Sequence, residues 1–369
     1  MTADVASRIQ RARTAMSSAG LDALIVTPSA DLRYLTGYDA RPLERLTALV
    51  LPAADEPVLV VPGLELAEAE RSPAALAGMQ IVTHAETDDA HSRATAIIRG
   101  AERVAVADSM PAHQLFGFLA ALPDATFLPA GTLLSGLRMR KGPDEVASLR
   151  RAAAAIDRVH STMGEFLKVG RTERAISRAI GVAILDEGHA RVDFVIVGSG
   201  PHSASPHHAV SDRVVESGDC VVIDIGGTTT AGYCSDSTRT YVVAGDPPQQ
   251  FLDHYEVLLE AQRAQCDFAR PGVTAEAVDR VGRRVIAAAG YGEYFIHRTG
   301  HGIGLETHEA PYIVEGNALI LEPGMAFSIE PGIYLPGRHG ARIEDIVVVT
   351  PDGVERLNTT SRQLCVVEG

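Results

Sequence analysis

The alternation of apolar and polar positions divides the first part of the chain into buried strands and amphipathic helices. Val5, Ile9, Ala12 and Met16 recur at helical spacing and predict a helix near the N-terminus. Five apolar runs follow, and each predicts a buried strand. They are LDALIVT from Leu21, 47–51, 57–61, 104–107 and 125–128. Because Ala-rich helical stretches separate several of these runs, we expect an α/β domain of about 130 residues.

A change of character close to residue 138 indicates where this domain ends. The basic stretch RMRKGP at 138–143 precedes Asp144 and Glu145, two acids suited to the first turn of a helix. A chain of 369 residues with 46% hydrophobic content is also longer than one ordinary domain needs. We therefore assign 1–137 to an N-terminal domain and 138–369 to a second domain.

The second domain contains an internal repeat that begins with two helix starts. Gly170-Arg-Thr172 and Gly272-Val-Thr274 each precede a helical run, and each threonine suits an N-cap position. The two threonines are separated by 274 − 172 = 102 residues. Two similar helix starts also arise by chance, so the repeat needs a second observation.

That observation is a pair of predicted hairpins, each of which carries two acids. VVIDIGG and GYCSDSTRTYVV hold Asp224 and Asp236, and a hairpin centred on Thr230 would place these acids opposite each other. MAFSIEPGIY and GARIEDIVVVT hold Glu330 and Glu344, which a centre at Gly337 places opposite each other. The offsets 330 − 224 = 106 and 344 − 236 = 108 resemble the 102 of the helix starts. We therefore predict a duplicated α+β domain with pseudo-two-fold symmetry and four carboxylates in one cleft.

Four carboxylates on buried strands require a compensating cation, because like charges at cross-strand distance destabilise a sheet. His297, His301 and His308 lie in HRTGHGIGLETHEAP, whose glycines favour a loop or an irregular strand over a helix. This segment is not the helical HExxH zinc motif. The acids and histidines together therefore indicate a centre for divalent metal ions.

Composition excludes other classes of function. The net charge of −14 opposes a nucleic-acid partner, because phosphate binding needs a clustered basic surface. No apolar run is long enough to span a membrane, and the N-terminus does not read as a secretion signal. Four scattered cysteines without a CxxC pair suit a reducing compartment. We expect a soluble cytoplasmic protein without membrane or nucleic-acid partners.

The motifs resemble those of a known family. Asp224 with SDSTRT, then HGIGLETHE, SIEPGIY and ARIED, are similar in order and content to the signature of the Xaa-Pro dipeptidases (prolidases) and Xaa-Pro aminopeptidases. The family has a pita-bread catalytic domain, and TPSADLRYLTGY resembles its creatinase-like N-terminal domain. The resemblance covers essentially the whole chain. The aspartate spacing of 236 − 224 = 12 is one residue longer than the family pattern, so we expect an added residue in the TTTAG turn.

The resemblance implies two divalent metal ions and a set of ligands for them. Carboxylate-rich ligation with one imidazole suits Mn²⁺, with Co²⁺, Fe²⁺ or Zn²⁺ as replacements. Asp236 and Glu344 would bridge the ions, and Glu330 would also relay a proton. The implied metal ligands are Asp224, Asp236, His301, Glu330 and Glu344.

The resemblance also implies residues that act on the substrate, a dipeptide or short peptide with proline at its second position. His207 and His308 would be substrate-side histidines, with His208 as the alternative to His207, and His297 an outer member of the same group. Arg342 would pair with a bridging acid or the substrate carboxylate, or form a structural pair. The family commonly forms homodimers, and we expect one here.

The motifs leave the exact activity open. They do not separate a dipeptidase from an aminopeptidase that acts on longer peptides, although the 369 − 344 = 25 residues after the last ligand favour the compact dipeptidase form. A creatinase-type hydrolase shares the fold without metals, and the complete ligand set counts against it. A catalytically silent pita-bread binding module would not need five ligands and their flanking histidines.

Overall fold

The computed structural model describes residues 2–368 and divides the chain into two compact units. The first unit ends at Arg138 and the second begins at Met139. None of the helices described within 2–368 combines the length and the apolar character needed to cross a lipid bilayer.

The first unit contains six strands, seven helices and two 3₁₀ turns within its described residues. The strands are β1 (Ala23–Val26), β2 (Ala48–Pro52), β3 (Val58–Pro62), β4 (Gln80–His84), β5 (Arg103–Val106) and β6 (Thr126–Pro129). The helices are α1 (Thr2–Ser18), α2 (Ala30–Thr36), α3 (Leu66–Ala69), α4 (Pro73–Leu76), α5 (Ala90–Thr95), α6 (Ala112–Ala121) and α7 (Gly131–Met139), with 3₁₀ turns at Gly63–Glu65 and Ala96–Ile98.

The six strands form one mixed sheet in the order β4-β3-β2-β1-β5-β6. Strand β1 pairs antiparallel with β2 and parallel with β5. Ile25, Val50 and Val60 from the sheet and Phe118 from α6 belong to one buried core. This arrangement confirms the predicted α/β domain and its five strands. The prediction missed β4, an edge strand with one buried residue, because it presents no apolar run.

The second unit contains five helices, eleven strands and two 3₁₀ turns in its described part. The helices are α8 (Pro143–Ser161), α9 (Met163–Phe166), α10 (Glu173–Asp186), α11 (Gln249–Phe268) and α12 (Ala275–Ala288). The strands are β7 (His189–Ser199), β8 (Asp219–Thr229), β9 (Cys234–Val243), β10 (Gly300–Gly302), β11 (Glu309–Ile313), β12 (Ala326–Ile329), β13 (Gly332–Leu335), β14 (His339–Arg342), β15 (Asp345–Val349), β16 (Val354–Arg356) and β17 (Cys365–Val367). The 3₁₀ turns span Gly200–Ala204 and Gly292–Tyr294.

The order of elements repeats within this unit, as the duplication predicted. A long helix, α8 or α11, precedes a helix of 14 residues, α10 or α12, and Thr172 and Thr274 occupy the N-cap positions of the shorter helices. Each threonine also forms an isolated bridge, Thr172 to Val214 and Thr274 to Ile320. The strands form a four-stranded sheet β17-β9-β8-β7, a five-stranded sheet β11-β10-β12-β15-β16 and the hairpin β13–β14.

The register of the first hairpin differs from the prediction. Asp224 pairs with Thr238 and Asp236 pairs with Gly226, so paired positions sum to 462 instead of 460. The two aspartates are therefore not opposite each other. The last pair before the turn is Thr228 with Cys234, and Gly232 adopts a positive φ of 86° within it. This longer turn centres the hairpin on residue 231, one residue beyond the predicted centre.

The predicted register of the second hairpin is confirmed. Gly332 pairs with Arg342 and Leu335 with His339, and both pairs sum to 674. The same sum holds for Ile329 and Asp345, where β12 pairs with β15. The ladder is interrupted between these two stretches, at 330–331 and 343–344, and this interruption contains Pro331, which has no N–H to donate.

Candidate active site

Strand alternation directs the acids of the first hairpin away from the helices. Ile223 and Ile225 of β8 belong to the apolar core that α8 and α10 form against the four-stranded sheet. Successive side chains of a strand point to opposite faces, so Asp224 faces away from that core. Asp236 and Thr238 are two residues apart in β9, so strand alternation also places their side chains on one face. The predicted acids thus face a common cavity.

This cavity has a volume of about 790 Å³, and all five predicted metal ligands line it. Carboxylate oxygens of Asp224, Asp236 and Glu344 lie within 4.8 Å of one another, and so do ligand atoms of His301, Glu330 and Glu344. Glu344 belongs to both groups, and Asp236 also groups with His301 and His308. The five residues therefore form one continuous set of oxygen and nitrogen ligands.

The orientation of His301 is set by its neighbours in β10 and β12. Its Nδ1 lies 3.1 Å from the carbonyl oxygen of Gly302, and its backbone N–H donates to Ser328 Oγ at 3.0 Å. Because a carbonyl can only accept, Nδ1 carries the proton and Nε2 faces the acids. Nε2 lies 3.2 Å from Glu330 Oε1 and 3.7 Å from Asp236 Oδ2. The imidazole is thus turned to share a cation with both carboxylates.

Burial and mutual repulsion change the pKa values of the acids. Burial, followed by the charges of neighbouring acids, raises the pKa values of Asp236 and Glu344 well above their usual range. Burial also raises the pKa of Asp224, although the Arg342 guanidinium opposes this effect. Burial alone would raise the pKa of Glu330, but an imidazolium at His301, with both ring nitrogens protonated, lowers it to about 2 through a hydrogen bond and its charge. The cluster needs positive charge to keep all its carboxylates ionised.

Two residues that the sequence analysis did not single out, Thr238 and Tyr334, connect the ligands to Arg342. Arg342 Nη2 donates to Asp224 Oδ2 at 2.6 Å, and its Nε donates to Thr238 Oγ1 at 3.0 Å. Thr238 Oγ1 in turn donates to Glu344 Oε2 at 2.8 Å. The Tyr334 hydroxyl accepts from Arg342 Nη1 at 2.8 Å. The guanidinium is 2% exposed, and its bond to Asp224 favours the structural pair among the predicted roles.

The sequence offered a signal for only one of these two residues. Thr238 lies two positions after Asp236 in SDSTRT, so strand alternation alone places both on one face. Tyr334 approaches Arg342 only because Gly332, directly opposite Arg342, lacks a side chain. A Cβ at Gly332 would collide with the Tyr334 hydroxyl.

The three predicted substrate histidines also line the cavity. His297 Nε2 lies 2.9 Å from the Tyr334 hydroxyl, and the His308 ring meets that of His301 edge-on at a centroid distance of 4.0 Å. His308 is exposed, yet partial burial of its ring and the neighbouring His301 lower its pKa to about 4. His207 is exposed and lines the cavity, whereas His208 Nε2 lies 2.8 Å from Glu173 Oε2. Of the two registers left open, His207 is the one that faces the site.

The remaining cavity wall combines apolar and charged side chains. It consists of Asp193, Phe194, Ile196, Pro206, Arg298 and Thr307. Phe194 and Ile196 lie on one face of β7, and Asp193 lies between Val192 and Phe194, where the β7–β8 register shifts. A small peptide would therefore contact both an apolar surface and ionised groups.

The donor set fits divalent metal ions. Asp224 Oδ1 is buried and has no hydrogen-bond partner within residues 2–368. A buried carboxylate oxygen without a partner is costly unless a cation satisfies it. Four carboxylates with one imidazole and no thiolate match hard or borderline divalent ions.

Family models match both units of the chain. It belongs to metallopeptidase family M24, whose model matches residues 147–351, and the creatinase/prolidase N-terminal domain model matches residues 8–140. The protein is therefore a metal-dependent peptidase, and the resemblance inferred from the motifs is confirmed, together with the predicted fold.

Individual relatives extend over nearly the full length. A protein of Mycobacterium bovis named probable dipeptidase PepE is 53% identical over 363 residues, which cover 98% of this chain and 96% of that protein. An Xaa-Pro dipeptidase of Lactobacillus delbrueckii subsp. lactis is 38% identical over 362 residues, covering 94% and 95%. The crystal structure of dipeptidase PepE from Mycobacterium ulcerans has a TM-score of 0.94 at 52% identity, covering 100% of this chain and 99% of that one.

Proposed function

We propose that this chain is an Xaa-Pro dipeptidase that uses two divalent metal ions. The observation that carries the proposal is the meeting of five metal-ligand side chains and three histidines in one cavity of about 790 Å³. The names of the relatives support the dipeptidase activity, and the Lactobacillus protein supports proline at the second position.

Two groups of residues would hold the ions. Asp224, Asp236 and Glu344 would hold one, and His301, Glu330 and Glu344 would hold the other, with Asp236 also close to His301. We propose Mn²⁺ in both sites, because the set is rich in carboxylates and contains a single imidazole. When bound, the ions would polarise the scissile carbonyl and activate a water molecule.

The residues around the ions would orient the reactants and move the proton. Glu330, whose Oε1 lies 3.2 Å from His301 Nε2 at the edge of the ligand set, would accept a proton and pass it to the proline nitrogen. His308, neutral at pH 7, would donate a hydrogen bond to the oxygen of the tetrahedral intermediate. His207 and His297 would hold the substrate, and Arg342 would orient Asp224 from its buried position.

The leaving group explains why a dedicated site would be needed. An Xaa-Pro bond is a tertiary amide whose nitrogen has no N–H to donate, so a peptidase that binds substrates as an extended strand loses one hydrogen bond. The apolar wall of Phe194, Ile196 and Pro206 would instead contact the substrate through van der Waals packing.

We also propose a cytoplasmic location and a homodimer. Four free cysteines, three of them buried, suit a reducing compartment. The homodimer follows from the family resemblance. Cell fractionation checks the location, and sedimentation velocity at micromolar concentration checks the assembly, with a single monomer boundary contradicting the dimer.

The decisive experiment compares Ala-Pro, Ala-Pro-Ala and Ala-Ala as substrates. Protein stripped of metal with a chelator is assayed with and without added Mn²⁺. We expect Mn²⁺ to restore hydrolysis of Ala-Pro while Ala-Pro-Ala and Ala-Ala remain intact. Preference for Ala-Pro-Ala would indicate an Xaa-Pro aminopeptidase. Failure to cut any peptide with proline at its second position, with Mn²⁺, Co²⁺, Fe²⁺ or Zn²⁺, would refute the proposal.

A further inference from the structure

Glu173, the first residue of α10, is a fully buried carboxylate outside the metal cluster. Its Oε1 accepts hydrogen bonds from the backbone N–H and the hydroxyl of Ser199, and from His202 Nδ1 at 3.0 Å. Its Oε2 accepts from the backbone N–H and the hydroxyl of Ser211, and from His208 Nε2 at 2.8 Å. Burial alone would raise the pKa of Glu173, but these donors lower it to about 2. The residue is therefore ionised and fully bonded.

The donors lie at the two ends of one segment, 199–211, which carries His207 into the cavity. Within the segment, Ser203 Oγ accepts from the Gly340 N–H at 2.8 Å, and the Pro206 carbonyl accepts from Arg342 Nη1 at 3.3 Å. The ring of His202 packs against that of His208 at a centroid distance of 4.4 Å. The Glu173 carboxylate thus holds the two ends of the segment together. One of its partners, His208, is the neighbour of His207 in the chain.

The duplication supplies an internal comparison for this position. Thr172 and Thr274 are the equivalent N-caps, so Glu173 corresponds to Ala275. Both residues are fully buried, and both donate their backbone N–H to a crossing segment, Glu173 to the Arg213 carbonyl and Ala275 to that of Leu319. The repeated fold therefore does not require a carboxylate here. Glu173 instead serves the 199–211 segment, which belongs to the first half of the duplicated unit.

A metal ion between Glu173, His202 and His208 is the alternative explanation, since their ligand atoms lie within 4.8 Å of one another. An ionised carboxylate offers about four lone-pair sites. Both oxygens already accept from a backbone N–H and a hydroxyl of a serine, four donors in all. The hydrogen-bonding role therefore explains the geometry without an ion.

We propose that Glu173 is a positioning residue that holds the 199–211 segment closed and so places His207 in the cavity. The proposal rests on the proposed function, because it assigns His207 a role in Xaa-Pro hydrolysis. Glu173 itself does not touch the substrate. Its effect on catalysis should therefore pass through the part of the segment that lines the cavity, chiefly through His207.

A double-mutant cycle tests this dependence. Wild type, Glu173→Gln, His207→Ala and the double variant are reconstituted with Mn²⁺ and assayed for kcat/KM on Ala-Pro. We expect Glu173→Gln to lower kcat/KM by about tenfold or more, because small misplacements of a binding group carry losses of up to about a hundredfold. In the His207→Ala background the same change should lower it by less than about twofold. Equal losses in both backgrounds would overturn the proposal.

The design separates failure of this inference from failure of the proposed function. If wild type cuts no Xaa-Pro substrate, the proposed function fails. If it does and His207→Ala loses activity, but Glu173→Gln matches wild type, only the role of Glu173 fails. The control is Glu276→Gln, a first-turn glutamate of the equivalent helix α12, which should match wild type.

Two further measurements keep the test informative. His208→Ala removes a single partner of Glu173 and replaces Glu173→Gln in the cycle if that variant does not fold. Metal content per chain should be the same in wild type and Glu173→Gln. Loss of one ion per chain in both Glu173→Gln and His208→Ala would overturn the positioning role in favour of a metal site.

Discussion

The two halves of the catalytic unit present their acids in different ways. In the first half, Asp224 and Asp236 lie on an unbroken ladder but are offset, each opposite an uncharged residue. In the second half, Glu330 and Glu344 keep the register that sets them opposite each other, but the ladder is interrupted at both acids. Either arrangement avoids two like charges directly opposed on a continuous ladder, which is destabilising. The two halves share a fold, but they separate their like charges in different ways: by an offset in the first half and by an interrupted ladder in the second.

The largest expected effect comes from removing one ligand in each half. Asp236→Asn and Glu344→Gln should each lower kcat/KM for Ala-Pro by about 1,000-fold or more, a barrier increase of ~4 kcal/mol, because each acid belongs to two of the ligand groups. Metal content measured in parallel should fall. Ser237→Ala, beside Asp236 but on the other strand face, is the control and should retain activity. If one of the two ligand variants kept more than a tenth of wild-type kcat/KM and the other did not, the two halves would contribute unequally to catalysis.

The next effect concerns two glycines, one in each hairpin. A Cβ at Gly226, opposite Asp236, would meet the Ser235 carbonyl oxygen at 2.5 Å and the Phe194 ring, whereas the atoms nearest to one at Gly332 belong to the Tyr334 side chain. Gly226→Ala should therefore lower the free energy of unfolding by about 2–3 kcal/mol, and Gly332→Ala by about 1 kcal/mol with a larger loss of activity. Urea denaturation and kcat/KM measure both.

The control for the glycine pair is Gly353→Ala, where a Cβ would meet nothing within 4 Å. This variant should match wild type in both measurements. If Gly332→Ala destabilised the protein more than Gly226→Ala, the interrupted ladder would be the more rigid of the two.

Metal removal should reverse the order of stability between wild type and a ligand variant. Burial and neighbouring acids raise the pKa of Asp236, so its charge is unfavourable without a cation. In chelator at pH 7.5, Asp236→Asn should therefore be about 1–2 kcal/mol more stable than wild type, and with Mn²⁺ it should be less stable. Thermal unfolding under both conditions tests this. The same order with and without Mn²⁺ would contradict charge repulsion as the cause.

The smallest effect is a difference in pH dependence between the halves, since Glu173 has no counterpart at Ala275. The pKa of Glu173 is about 2, below its ordinary 4.5, so its contribution to stability is present above pH 4.5 and is lost as the pH falls through 2. Between pH 6 and pH 4 wild type should lose about 1 kcal/mol that Glu173→Gln does not lose. Parallel pH profiles of the unfolding free energy for the two proteins would contradict this.

The sequence predicted the strand register of the two hairpins with different success. The second hairpin was predicted in its observed register because LPGRHG forms a short turn with an unambiguous centre. The first was centred one residue too early, because nothing in GGTTTAG indicates that the ladder ends at Thr228 and Cys234. Glu173 was not recognised at all. Its partners lie 26 to 38 residues further along the chain, beyond any local pattern.

By itself, the sequence determined the family, the two classes of domain, the duplication and the chemical types in the site, because these depend on the order and identity of residues. Only the tertiary structure decided which of His207 and His208 faces the cavity, that Arg342 binds Asp224, and that Tyr334 joins this network. The physical reason is that a hydrogen bond forms only when donor and acceptor, here from segments far apart in the chain, come within about 3 Å of each other. A one-residue change in a turn alters those distances without altering the motif.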